Sequence, residues 1–384
     1  MPAIVGLNNA RDILRDDDFV ILDGDHGECI VNPSQKTLEI YRKRRADYIS
    51  FEKKLHAIKG LPARTKDGKD IEIASNIEFP SEADAIADLR GDGIGLYRTE
   101  YMFLAGEQEP EEEFQFQEYK NIVEKLDGKP LIIRTFDLGG DKPSEYLPMA
   151  VELNPFLGVR GVRVYRDIGH HYFRKQLRAI LRAGVYGDVR IMFPMIACVS
   201  EIRYCRKILN QVMKELKKEK VPFNRNIPIG AMVEVPSAAA TADLLAQECD
   251  FLSIGTNDLI QYTTAVDRGN KHLAYLYQPY NPAVLRFIRD TIQKGHQQGA
   301  WVGMCGEMAS DPLMTMVLIG FGLDEFSISP VSHLLIKAII RHVEFSECEN
   351  LAEKALALAT SEDVGGYLKD VYNKKFKHLQ HFPH

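Results

Sequence analysis

Cysteine is scarce, with six residues in 384 and no Cys-x-x-Cys pair. That is too few for a disulfide framework and offers no structural zinc motif. No apolar run reaches eighteen residues, so no membrane-spanning helix is expected. The opening Met1-Pro2-Ala3-Ile4-Val5-Gly6-Leu7 lacks the basic-then-apolar layout of a signal peptide. Basic excess is missing too. The net charge is −6, whereas a dedicated nucleic-acid binder carries a basic face. What remains is an ordinary globular balance, 45% apolar and 27% charged. The expectation is a reduced, cytoplasmic enzyme.

Three zones follow one another. In residues 1–33, the apolar runs Phe19-Val20-Ile21-Leu22 and Cys29-Ile30-Val31 flank Asp23-Gly24-Asp25-His26-Gly27, a hairpin pattern. Thirty residues bury too little to fold alone. Residues 34–60 read as one helix, with Leu38, Tyr41, Tyr48, Phe51, Leu55 and Ile58 in a single stripe. Lys43, Arg44 and Arg45 fill its solvated face. From residue 61 onward short apolar runs alternate with longer helical stretches. The runs are Ile71–Ile77, Ile94–Thr99, Leu131–Asp137, Ile191–Ile196, Ile229–Val235, Phe251–Asp258, Val302–Gly306 and Glu325–Ser329. Ser81-x-x-Asp84 and Gly91 are expected to bound one helix, and Ser346-x-x-Glu349 to cap another. Strands alternating with helices pair in parallel, and eight such units in about 275 residues predict an α/β fold, a closed (β/α)₈ barrel.

Such barrels keep their chemistry at the C-terminal ends of the strands. There this sequence places Arg98, Arg134 and Arg268, with Arg160 nearby. Several guanidinium groups at one mouth repel each other unless an anion joins them, and their planar fork suits phosphate and carboxylate oxygens. Glu234 and Asp258 end adjacent runs, a ligand pair that suits a Mg²⁺ ion keeping water and substrate oxygens. Arginines with Mg²⁺ form the usual clamp on a transferring phosphoryl group. Cys305 joins the rim, and a thiol with a pKa of about 8.5 can donate a proton at neutral pH. Taken singly, each residue has a plainer reading. An arginine or Glu234 can form a structural ion pair, Cys305 can be a small buried hydrophobe, and Asn257-Asp258 can be a turn or cap. Glu307 and Asp137 are expected to hold arginines in place.

The motifs Leu96-Tyr97-Arg98-Thr99-Glu100, Asn154-Pro155-Phe156-Leu157-Gly158-Val159-Arg160, Gly255-Thr256-Asn257-Asp258-Leu259 and Val302-Gly303-Met304-Cys305-Gly306-Glu307 resemble signatures of the phosphoenolpyruvate-utilising enzymes. Within that group the chain most resembles the enzyme I family of the bacterial sugar phosphotransferase system. The likeness extends through Arg134-Thr135-Phe136-Asp137, Glu234-Val235-Pro236 and Ala265-Val266-Asp267-Arg268-Gly269-Asn270, and covers essentially the whole chain. It implies that Arg98, Arg134, Arg160 and Arg268 grip phosphoenolpyruvate, with the Asn257 side chain and Asp258 at the phosphate. It also implies that Glu234 and Asp258 ligate Mg²⁺ and that Cys305 protonates C3 of the enolate to give pyruvate. The implied activity is that of a phosphotransferase acting on a protein histidine, the first step of sugar uptake. The implied assembly is a cytoplasmic homodimer that works with a phosphohistidine domain and a phosphocarrier protein, without nucleic acid or membrane insertion.

One departure is marked. The family's acceptor lies in a Gly-Gly-x-x-Ser-His-type motif, and none of the eleven histidines here follows such a sequence. His170-His171, His378, His381 and His384 lie on expected helices or in the tail. The resemblance therefore casts residues 1–33 as a remnant of the phosphohistidine domain, 34–60 as a linker helix, and 61–384 as the phosphoenolpyruvate-binding and dimerisation barrel. Three readings stand at this point. One is the catalytic enolate half of phosphoryl transfer. Another is a non-catalytic phosphoenolpyruvate-binding or dimerisation module. The third is a related pyruvate/enolate barrel, such as that of a dikinase, an aldolase or a carboxylase.

Overall fold

The eight apolar runs of the third zone all become strands. The structure, a computed structural model, describes residues 3–7, 9–24, 26–104, 110–140, 147, 150, 152–166 and 168–379. Two compact units are present: Met1–Lys59 with Asp370–His384, and Gly60–Lys369.

In the smaller unit, β1 (Val20–Asp23) and β2 (Glu28–Val31) pair antiparallel, with Val20 opposite Val31 and Asp23 opposite Glu28. The Asp23 carboxylate accepts the His26 N–H at 3.1 Å, closing the turn that the Asp/Gly cluster predicts. Helix α1 (Gln35–His56) follows, and the Ser34 hydroxyl caps it by accepting the Thr37 N–H at 3.2 Å. Tyr41, on α1, donates its hydroxyl to Glu28 at 2.6 Å.

The larger unit contains strands β3 (Glu72–Ile77), β4 (Ile94–Arg98), β5 (Leu131–Arg134), β6 (Val189–Phe193), β7 (Ile229–Val233), β8 (Phe251–Ile254), β9 (Trp301–Met304) and β10 (Glu325–Ile328). They close in sequence order, every neighbour parallel, with β10 returning to β3. This is the (β/α)₈ barrel. Helices cover the outside, among them α2 (Ala83–Leu89), α3 (Glu112–Lys125), α4 (His170–Ala183), α5 (Val199–Glu219), α6 (Thr256–Thr264), α7 (Pro282–Gln297), α8 (Pro312–Phe321), α9 (His333–His342) and α10 (Phe345–Leu356). Among the described residues no helix is long and apolar enough to cross a membrane.

Three details differ from the sequence expectation. Several strands stop before their apolar run does. The run Phe251–Asp258 is extended only to Ile254; Gly255 bends, and α6 starts at Thr256. Apolar continuity reports burial, and Leu259 and Ile260 are buried on a helix. Ser81 does not cap α2. The Glu82 carboxylate instead accepts the N–H groups of Glu78 and Phe79, both at 2.8 Å, and Arg90 rather than Gly91 takes the left-handed turn at φ +52°. Nor does Ser346 cap α10. The carboxylate of Asp67, 278 residues upstream, accepts the Phe345 N–H at 2.9 and 2.8 Å, so the cap is tertiary.

The barrel interior carries a layer of Leu96, Ile132, Met192, Met232, Phe251 and Cys305, with the Trp301 ring stacked on Phe251 at 4.7 Å. At the N-terminal ends of the strands, the buried Glu325 side chain faces the positions where Gly95 and Gly303 leave no Cβ.

Candidate active site

Arg98 and Arg134 are the last residues of β4 and β5 and stand side by side in the parallel register. They share one cavity of about 460 Å³ with Arg160, Arg268, Glu78, Asp137, Glu234, Asn257, Asp258, Cys305 and Glu307. It opens at the C-terminal end of the barrel, as the fold requires. Every residue predicted for the site lies on this wall.

The guanidinium groups are held in different ways. Arg134 is buried. Its Nη2 donates to Glu100 Oε2 at 2.9 Å, and its Nη1 lies 3.6 Å from Asp137. The other Glu100 oxygen accepts the Asp137 N–H at 2.8 Å, so one carboxylate fixes both the arginine and the loop after β5. Arg160 is buried more deeply. It grips Asp137 through Nε and Nη2 at 3.2 and 2.9 Å, and Asp258 through Nη1 and Nη2 at 2.8 and 3.0 Å. Nη1 also donates to the Tyr262 hydroxyl at 3.2 Å. These bonds occupy all five donors of the guanidinium. Gly139, at φ +106°, bridges to Arg160 where a Cβ would strike the backbone of Val159. Arg268 and Arg160 lie on the Phe156 ring, each 5.9 Å from its centre. Arg98 is partly exposed and donates to Glu78 at 2.6 Å.

Glu234 sits one residue past the end of β7 and is fully buried. Its Oε1 accepts the N–H of Met195, a residue in the left-handed region at φ +55°. Non-glycine residues occupy that region at a cost and concentrate at functional sites. Burial first, then the charges of Asp258 and Asp137, hold the Glu234 carboxyl well above the usual carboxylate range. Gly255 lets the Glu234 side chain approach, since a Cβ there would crowd its Oε2. Asn257 and Asp258 occupy the first turn of α6. Asn257 Nδ2 donates to Glu307 at 3.1 Å, and its Oδ1 accepts the Glu307 N–H at 3.0 Å. Thus Asp137 does hold arginines, while Glu307 fixes Asn257 instead. The reason is position: Glu307 opens the turn after β9 and faces α6 across the rim.

Cys305 follows β9 and is 2% exposed. Its carbonyl accepts Asn76 Nδ2 at 3.1 Å, which ties it to β3. Burial pushes its thiol up to about 11, so at neutral pH it carries a proton. Asp141, Lys142, His381 and His384 lie outside the described residues. His170 and His171 open α4. Sequence reasoning gave no role to Glu78, Glu100, Tyr262 or the Met195 N–H. Glu78 stands just past β3, so a survey of every strand end carried one residue further would have found it.

The wall holds four guanidinium groups and five carboxyl groups within one cavity. A polyanion can be gripped by the arginines, and a divalent cation can take carboxylate lone pairs that the arginines do not use, those of Glu234 among them.

Known proteins resemble this chain. The family model "PEP-utilising enzyme, PEP-binding domain" matches residues 52–345. A phosphoenolpyruvate-protein phosphotransferase of Priestia megaterium is 44% identical over 373 residues, covering 97% of this chain and 65% of the relative. One from Bacillus subtilis (strain 168) is 42% identical over 372 residues, with the same shares. An aldolase/citrate lyase family protein from Burkholderia cenocepacia J2315 aligns with a TM-score of 0.43 at 14% identity, over 70% of this chain and 92% of that one, too slight a likeness to bear on the site. The chain spans about 65% of the length of the curated relatives it matches. With three quarters of its residues inside the family domain, the chain belongs to the PEP-utilising enzymes and carries their PEP-binding domain.

Proposed function

We propose that this chain binds phosphoenolpyruvate and Mg²⁺ and carries the enolate half of phosphoryl transfer to a protein histidine, the first step of the sugar phosphotransferase system. The observation that supports it best is the meeting of Arg98, Arg134, Arg160 and Arg268 with Glu234, Asp258 and Cys305 on one cavity wall. Within this reading residues 1–33 belong to a phosphohistidine-type domain, 34–60 to a linker helix and 61–384 to a dimerising barrel. The protein would act in the cytoplasm, with a phosphocarrier protein downstream.

Arg98, Arg134 and Arg268 bind the phosphate and carboxylate oxygens, and the Asn257 side chain adds a donor. Arg160 adds positive charge to the same wall and keeps Asp258 in place. The fit of a metal rests on Glu234: burial beside Asp258 and Asp137 disfavours its charged form, a cost that a cation would relieve, and the Met195 N–H engages only one of its oxygens. Glu234 and Asp258 would hold Mg²⁺, which when bound supplies charge neutralisation at the phosphoryl and enolate oxygens. As the phosphoryl group passes to the acceptor nitrogen, the P–O bond breaks and its electron pair stays on the enol oxygen. The enolate C3 then takes the proton from Cys305 Sγ, and the resulting thiolate recovers one from water. Burial keeps that thiol protonated until it is needed.

The experiment supplies a separate domain containing a Gly-Gly-x-x-Ser-His sequence and labelled phosphoenolpyruvate. Label on that histidine, dependent on this chain and on Mg²⁺, is the expected result. Saturable substrate binding with no label transferred would favour the binding-only module instead.

A further inference from the structure

The arginines at the cavity differ in what neutralises them. The pairs Arg134–Glu100, Arg160–Asp137 and Arg160–Asp258 are buried, with no side chain more than 8% exposed. The pair Arg98–Glu78 is open, at 34% and 53%. Breaking a buried pair strands a charge and is costly, whereas an exposed pair contributes little. Of these cavity pairs, Arg98–Glu78 is therefore the one an incoming anion can displace cheaply.

Glu78 is nevertheless not a loosely placed surface residue. Its own N–H and that of Phe79 are both held by the Glu82 carboxylate at 2.8 Å. The Phe79 ring leans on Tyr101 at 5.3 Å. The backbone just past β3 is thus fixed, and it delivers a carboxylate to Arg98 at 2.6 Å inside the cavity wall.

We propose that Glu78 is an internal competitor for the substrate anion at Arg98, an inference that rests on the substrate reading above. It occupies the guanidinium while the cavity holds no anion and yields to a phosphate, which carries more charge than its own carboxylate. It takes the guanidinium back once the phosphoryl group has left. Its presence weakens anion binding and favours release of the less charged product.

The test uses the isosteric Glu78→Gln, alone and combined with Arg98→Met, and titrates each protein with phosphoenolpyruvate and with inorganic phosphate. Glu78→Gln should tighten both anions by roughly two- to fivefold, the worth of an exposed ion pair. That gain should vanish in the Arg98→Met background, which a merely structural role would not produce. If wild type binds phosphoenolpyruvate and Glu78→Gln binds it no better, the competitor is refuted and the substrate reading survives. If tightening persists without Arg98, Glu78 acts as general charge and the proposal also fails. If phosphoenolpyruvate does not bind but inorganic phosphate binds more tightly to Glu78→Gln, the substrate reading fails and the competitor stands.

Discussion

Replacing Arg160 by methionine should strip the counter-charge from two buried carboxylates at once. Asp137 and Asp258 are held by bonds of 2.8–3.2 Å to this one guanidinium, and neither Arg160 nor Asp137 is more than 2% exposed. Asp137 keeps a 3.6 Å approach from Arg134. Removing one partner of a buried pair costs about 3–5 kcal/mol, mostly because the other charge is left behind. The barrel unit has 310 residues, so its unfolding entropy near Tm is about 0.65 kcal/mol per kelvin, and a loss of about 4 kcal/mol lowers Tm by roughly 6 °C. A second substitution identifies the cause. Adding Asp258→Asn removes one of the stranded charges and should recover part of the loss. Thermal unfolding followed by circular dichroism reads both effects. An unchanged Tm would refute the buried network, and a loss that Asp258→Asn leaves untouched would assign the cost to packing.

Other outcomes follow from the same geometry. Cys305→Ala should bind phosphoenolpyruvate as wild type does but slow pyruvate formation, by roughly 10²-fold or more for loss of a general acid; unchanged turnover in the reconstituted transfer assay removes it as the acid. Glu234→Ala should abolish the Mg²⁺ dependence of substrate binding in calorimetry, and persistence of that dependence places the metal elsewhere. Burial and the neighbouring Glu72 push Glu325 up to about 8. A carboxyl whose folded pKa is raised gives stability that is full below its unfolded pKa and is lost as pH rises through the folded value. Glu325→Gln should therefore leave stability near pH 4 unchanged and raise it above pH 8, on the order of 5 kcal/mol; an equal Tm shift at both pH values contradicts this.

The alternation of apolar runs with helical stretches was legible because a parallel barrel strand is buried on both faces and reads as continuous apolar sequence. Its ends were less legible, since Leu259 and Ile260 bury just as well on α6 as they would on a strand. The charged wall was readable from residue type: arginines and carboxylates collect at strand ends for few other reasons. How they pair was not readable. Arg160 meets Asp258 across 98 positions, and Glu100 meets Arg134 across 34. Capping failed in the same way. Ser346 carries the local signal, yet Asp67 reaches α10 through the tertiary fold and takes the N–H groups first. Arg160 shows the consequence. Its motif marks it for substrate, while the fold commits its five donors to Asp137, Asp258 and Tyr262.

In the proposed reading this barrel by itself forms a metal-assisted phosphoenolpyruvate site. Calorimetric titration of phosphoenolpyruvate into the full chain, with and without Mg²⁺, is the measurement to make first. Saturable binding with one site per chain, tightened by Mg²⁺ and lost in Arg134→Met, is the expected result. Absence of binding in both conditions, in a chain whose thermal unfolding is intact, would contradict it.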